Sequence, residues 1–241
     1  KEFIKEVLEG LNPPPEYFSS NVKLNKEGYE SLDKILNRSI NELTVIDFKK
    51  NVNVNGSLML DVRSIEEFAR AHIPGSIFIG LEGSFAPWVG EMLVDINTPI
   101  LLVTSSKDMF EEAQIRLSRV GFDNVVGTLS GGVESWIKAG RDIETVKNIS
   151  PTDFVQISRK NIIDVRKPSE YSIAKYADAL NFPLSDLGMN LSRVSDDKSY
   201  VYCGSGYRSL IAISLLKSKG YHDVVNVEKG FGGISEVLIK W

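Results

Sequence analysis

Short apolar runs alternate with helical patterns along the chain, and the alternation occurs twice. Residues 57–61 form an apolar run, and a helical pattern follows over 65–71. Residues 99–103 are nearly all apolar, the pattern of a strand buried on both faces. Phe110, Ala113, Leu117 and Val120 then recur at helical spacing, Gly121 stops that helix, and residues 124–126 resume a strand. The same order returns over 161–165, 169–174, 199–202, 209–219 and 223–225. Strands alternating with helices predict an α/β fold with a mainly parallel sheet.

The two rounds are copies. Residues 58–77 align with 161–180 at an offset of 103, bringing Asp61, Val62, Arg63 and Glu67 onto Asp164, Val165, Arg166 and Glu170. Residues 121–132 align with 220–231 at an offset of 99, so the first copy carries about four extra residues, near 84–93. A period this long predicts tandem domains rather than a solenoid. The units are expected over 41–146 and 150–241, joined by a polar linker at 141–150 in which Ser150 or Thr152 caps the next helix. Residues 1–40 match neither unit. They hold an amphipathic start, the stiff run Asn12-Pro13-Pro14-Pro15 and a second helical pattern at Tyr29, Leu32, Ile35 and Leu36, and are expected to be a tail from an upstream domain.

Composition narrows the function classes. Of 241 residues, 25% are charged and 42% hydrophobic, which is globular composition. A net charge of −4 with scattered Lys and Arg gives no nucleic-acid footprint, and no apolar run approaches the ~18 residues of a membrane span. Cys203 is the only cysteine, so no intramolecular disulfide forms and a reducing, cytoplasmic setting is expected. With only His72 and His222 beside it, Cys203 cannot make a Cys/His zinc cluster, and neither metal nor cofactor is expected.

The candidate chemistry lies in one segment. A buried strand ends at Tyr202 and a helix begins near Arg208; Cys203, Gly204, Ser205, Gly206 and Tyr207 lie between. In open α/β sheets, ligand sites form at the carboxyl ends of strands. A small-residue loop curling onto a helix N-terminus turns backbone N–H groups inward as an anion cradle, and Gly204 and Gly206 allow the angles this needs. The helix N-terminus and the Arg208 charge both favour the thiolate form of Cys203, the nucleophile. The competing reading is a small buried cysteine with no reactivity.

Cys203–Ser209 resembles the C-x-x-G-x-R-S active loop of rhodanese-like sulfurtransferases. Asp164-Val165-Arg166 with Glu170-Tyr171 is similar to that family's D-V-R…E-[FY] element. Asp61-Val62-Arg63, Glu67-Phe68 and His72-Ile73-Pro74-Gly75 are similar to the same element plus its H-I-P-G turn. The resemblance covers residues from about 43 to 241. It implies two tandem rhodanese-like domains and a persulfide mechanism. Cys203 takes sulfane sulfur from thiosulfate or a low-molecular-weight persulfide and passes it to a thiol or cyanide. Gly204, Ser205, Gly206, Tyr207 and Arg208 form the cradle, and Ser209 begins the supporting helix. In the first unit Thr104 replaces the nucleophile and Met109 the arginine, so that unit is expected to be catalytically dead.

Two alternatives stay open. One is a non-catalytic sulfur-docking module of a larger protein. The stretch from Asn12 to Phe18, with Asn25 to Gly28, resembles the join between a metallo-β-lactamase-fold domain and tandem rhodanese units in persulfide dioxygenase fusions, which implies such a domain as an upstream partner. The other is a phosphatase or arsenate reductase; those loops place five residues between thiol and arginine, whereas Cys203 and Arg208 enclose four.

The remaining residues are expected to be structural. His72 belongs to turn chemistry with Pro74 and Gly75, and His222 to the surface. The two Asp/Arg pairs brace strand ends. Phe85 to Trp88 pack in the core or between units, and residues 229–233 rim the Cys203 pocket.

Overall fold

In the computed structural model, residues 41–93, 95–157 and 161–239 are described, with isolated positions 18, 22, 26, 28 and 34. Apart from those positions, the expected tail and its two helical patterns lie outside the described residues.

In unit one, Glu42–Leu43 (β1) leads to Val45–Asn55 (α1), whose first turn is capped by the Thr44 hydroxyl accepting from the Asp47 N–H. Leu58–Asp61 (β2), Ile65–Arg70 (α2) and Ile77–Phe78 (β3) follow. A reciprocal pair between Ser64 and Glu67 starts α2. Next come Phe85–Met92 (α3), Ile100–Val103 (β4), Lys107–Ser118 (α4), Val125–Leu129 (β5) and Gly132–Lys138 (α5). Unit two repeats this order. Lys147–Ile149 (β6), Pro151–Gln156 (α6), Ile162–Asp164 (β7), Pro168–Ile173 (α7) and Leu180–Asn181 (β8) form its first half. After a 3-10 stretch at Leu184–Arg193 come Ser199–Tyr202 (β9), Tyr207–Ser218 (α8), Val224–Val227 (β10) and Gly230–Ile239 (α9).

The two sheets have the same topology. Their strand orders are β1-β5-β4-β2-β3 and β6-β10-β9-β7-β8, every pair parallel. Equivalent strands occupy equivalent places, which is the structural form of the duplication. The extra residues of the first copy fall between β3 and β4, where α3 stands in place of the 3-10 stretch.

Residues 141–150 do not form a free linker. Glu144 makes an antiparallel bridge with His72, the Val146 N–H donates to Ala69 O at 2.9 Å, and β6 joins the second sheet through β10. The second sheet therefore begins at Lys147, ahead of the expected 150. Ser150 caps α6, as its position before Pro151 implies.

The units share one core. Phe78 and Phe85 of unit one belong to the same buried cluster as Val201, Leu210 and Ile211 of unit two. Helix α8 shows why. Its residues Ser209 to Ser214 are all buried, whereas α4 buries only Phe110, Ala113, Gln114 and Leu117. A helix apolar all round is covered on all sides; α8 lies between its own sheet and β3 of unit one. The Phe78 N–H donates to Ser214 Oγ at 3.0 Å, and Lys217 pairs with Glu144 at 2.8 Å.

Both Asp/Arg pairs form, at 2.7 Å for Asp61–Arg63 and 2.6 Å for Asp164–Arg166. Arg63 also donates to Ala71 O and Arg166 to Ala174 O, tying each strand end to the end of the next helix. His72 is buried, its Nδ1 2.9 Å from Phe68 O, and His222 is exposed.

Candidate functional site

Strand β9 delivers Cys203 at its carboxyl end, and the chain turns at once into α8. The thiol is 1% exposed. The Gly206 N–H donates to Cys203 Sγ at 3.1 Å. Gly206 has φ +116°, in the region side chains avoid, so only glycine turns this N–H onto the sulfur without strain. Gly204 is not in that region; its glycine instead leaves room for the Arg208 guanidinium, 3.1 Å from where a Cβ would lie.

Residues 229–233 back the loop rather than only rim it. The Phe231 N–H donates to Cys203 O at 2.6 Å and the Gly232 N–H to Gly204 O at 3.1 Å. The start of α9 thus takes up the loop carbonyls. Because each peptide is planar and trans, the Gly204 and Ser205 N–H groups point away from α9. Gly230 is required here, since a methyl on it would collide with the Cys203 carbonyl.

Ser209 lies in the first turn of α8, which begins at Tyr207 rather than at Ser209 as expected. Its hydroxyl is 3.7 Å from Cys203 Sγ, 2.9 Å from Gly206 O and 2.7 Å from Asn226 Oδ1 on β10. Asn226 in turn donates to Asn148 Oδ1 on β6 at 2.9 Å. Asn226 and Asn148 were not among the expected site residues; the signal for Asn226 is a lone amide inside the apolar run Val224 to Val227. A serine hydroxyl has one proton and two lone pairs. With its proton on a neighbouring oxygen it accepts from a thiol; turned around, it is a second donor to a thiolate.

Arg208 has a partner not among the expected site residues: its guanidinium grips Glu170 at two points, 2.6 and 2.8 Å. Arg208 hydrogen-bonded to its carboxylate pulls the Glu170 pKa down to about 2. The Arg208 pKa rises, first through the same bond and further through the nearby Cys203.

A cleft of about 500 Å³ opens beside the loop. Unit two lines it with Lys167, Glu170, Ser205, Tyr207 and Arg208, and unit one with Ser84 and Trp88. Phe85 is core, and Trp88 packs against the shared core between the units, on this cleft, both as expected. A cavity of about 270 Å³ in unit one, bordered by Lys49, Trp136 and Arg141, contains none of the expected site residues. Among the described residues, no three His, Cys, Asp or Glu side chains gather as a metal site needs, and no helix is long and apolar enough to cross a membrane.

The Rhodanese-like domain family matches residues 44–139 and again residues 146–236. The chain belongs to the rhodanese-like family. It is 33% identical over 88 residues to the uncharacterized protein YqhL of Bacillus subtilis strain 168, a match spanning 36% of this chain and 70% of YqhL. It is 34% identical over 70 residues to a sulfurtransferase of Allochromatium vinosum, spanning 29% of this chain and 65% of that protein. The crystal structure of a thiosulfate sulfurtransferase from Pseudomonas aeruginosa aligns over 82% of this chain and 42% of that one, at 19% identity and a TM-score of 0.39. The chain thus spans less than two thirds of the length of these last two proteins.

The two rhodanese-like domains keep Ser205 and Glu170, as Ser106 and Glu67, but differ at the thiol and at the residues around it. At the 99-residue offset, Cys203, Ser209 and Asn226 meet Thr104, Phe110 and Gly127. Thr104 is buried, its hydroxyl 3.2 Å from that of Thr128. Glu67, the counterpart of Glu170, has Met109 where Arg208 stands and is spent on capping Ser64.

Proposed function

We propose that the second domain is a sulfurtransferase with Cys203 as the sulfur carrier. The Cys203 thiolate attacks the outer sulfur of thiosulfate, forms the S–S bond and releases sulfite. The acceptor, cyanide or a thiolate, then attacks the terminal sulfur; thiocyanate or a new persulfide leaves, and the Cys203 thiolate returns. Small sulfane-sulfur donors, thiosulfate or a low-molecular-weight persulfide, and thiol acceptors are the partners this implies.

The observation that carries the reading is the Gly206 N–H on Cys203 Sγ at 3.1 Å, inside a loop that closes after four residues on Arg208. A ring this small suits a sulfur anion better than a tetrahedral phosphate. The loop carbonyls taken up by α9 leave the opposite edge of the loop to N–H donors. The name of the Allochromatium relative points the same way. Unit one, without thiol, arginine or hydroxyl relay, is not a carrier in this reading.

The 1% exposure of Cys203 is the observation that favours the alternative, a docking module that does not turn over. The deciding assay is thiocyanate formation from thiosulfate and cyanide, with Cys203→Ser beside the parent and p-nitrophenyl phosphate as a second substrate. Thiocyanate from the parent alone supports the carrier. Phosphate release without thiocyanate supports the phosphatase reading, and neither product supports the docking module.

A further inference from the structure

Unit one lacks the chemistry, yet it touches the loop. Tyr207 is the first residue of α8, directly after the loop glycine Gly206, and its side chain reaches into unit one. The hydroxyl donates to Gly80 O of unit one at 2.7 Å. The ring meets Phe78 edge-on, with centroids 6.0 Å apart. It also lies against Gly83, where an added methyl would overlap three of its ring carbons.

Gly83 is informative because its backbone does not need glycine. Its φ is outside the left-handed region, and the three atoms nearest its missing side chain all belong to the Tyr207 ring. The glycine makes room for the tyrosine of the other unit. The segment it belongs to is pinned within unit one. The Leu81 N–H donates to Val62 O at 3.1 Å, Arg116 donates to Leu81 O at 2.7 Å, and the Phe85 N–H donates to Gly83 O at 2.8 Å. Tyr207 therefore rests on a fixed platform. One residue before it, the Gly206 N–H meets Cys203 Sγ.

We propose that the thiol-free unit positions the active loop through Tyr207, and that Gly83 is the seat this requires. Tyr207 is a positioning residue: held by Gly80 O and seated on Gly83, it fixes the peptide that presents the Gly206 N–H to the sulfur. The proposal rests on the carrier reading of Cys203 and assigns the degenerate unit a part in it. Small displacements of such donors have large kinetic effects, on the order of 100-fold for ~1 Å.

The test is a double-mutant cycle on the full chain. Persulfide formation with thiosulfate and the pH profile of Cys203 alkylation by iodoacetamide are measured for the parent, Gly83→Ala, Tyr207→Ala and the double variant. Tyr207→Phe is the mild arm, with thermal unfolding as the folding control. Gly83→Ala is expected to slow persulfide formation by about 10–100-fold and to move the alkylation profile. In the Tyr207→Ala background the same substitution is expected to change the rate less than about 2-fold, because the clash is gone. Tyr207→Phe, which keeps the ring and loses the bond to Gly80, is expected to slow it by several-fold, on the order of one lost hydrogen bond. An unaltered rate and profile in Gly83→Ala, or an effect of equal size in both backgrounds, overturns the proposal. If Gly83→Ala does not fold, an unaltered rate and profile in Tyr207→Phe overturns it instead. Should the parent take up no sulfur, the carrier reading fails, while the alkylation profiles still test the seat on Gly83.

Discussion

Arg208 and Glu170 meet at two points, Nη1 to Oε2 at 2.6 Å and Nη2 to Oε1 at 2.8 Å. The active loop thereby ends on the first turn of α7, which Glu170 also caps by accepting from the Lys167 N–H at 3.1 Å. Arg208 brings its charge to the site already paired, as part of a brace. The Gly206 N–H is what meets the sulfur directly.

This brace has a pH signature. Glu170 releases its proton at about 2 in the folded chain, against an ordinary 4.5. A depressed carboxyl stabilises the fold above its unfolded pKa and loses that contribution as pH falls toward the folded one. Glu170→Gln is expected to lower stability at pH 6–7 by about 1 kcal/mol, modest because the pair is partly open to water. Urea unfolding of parent and variant should converge between pH 4.5 and about 2. A constant difference across that range contradicts the brace.

His72 gives a second window. Burial holds its pKa down at about 4, against an ordinary 6.5, so the ring is neutral in the fold. The unfolded chain takes up the proton first, and stability falls as pH drops from 6.5 to about 4, by at most about 3 kcal/mol. His72→Gln should flatten that part of the stability curve. An unchanged slope would assign the loss to other groups.

The loop was legible because Cys203, Gly206 and Arg208 lie within one short segment and sit where strand pattern changes to helix. The duplication was legible because Asp-Val-Arg recurs with its glutamate. The rest depends on distance in sequence. Glu170 meets Arg208, Asn226 meets Ser209, and Gly83 meets Tyr207 only because the sheet order and the packing of α8 on β3 bring them together. Strands β1, β3, β6 and β8 are two or three residues long, too short to carry a period. No local pattern separates Trp88 on the cleft from Phe85 in the core, three residues away.

The hydroxyl relay makes its own prediction. Ser209→Ala leaves the Asn226 carbonyl oxygen buried without its donor, which costs about 1–3 kcal/mol. It also removes the hydroxyl 3.7 Å from the sulfur. Urea unfolding should show the stability loss, and a stopped assay with thiosulfate should show slower persulfide formation. Wild-type stability in Ser209→Ala contradicts the relay.

Restoring the thiol in unit one is not expected to restore chemistry. Thr104→Cys, made in a Cys203→Ser background, places sulfur at the end of β4, but Phe110, Met109 and Gly127 supply neither hydroxyl, guanidinium nor amide. Thiocyanate formation should stay at background. Turnover in this variant would mean that the strand end and helix N-terminus suffice.

The most direct test of the account is the intact mass of the reduced chain before and after brief exposure to thiosulfate, with Cys203→Ser alongside. The account predicts a gain of one sulfur atom in the parent, removed by cyanide and absent from the variant. No gain in the parent with thiosulfate or with glutathione persulfide, or an equal gain in Cys203→Ser, contradicts it.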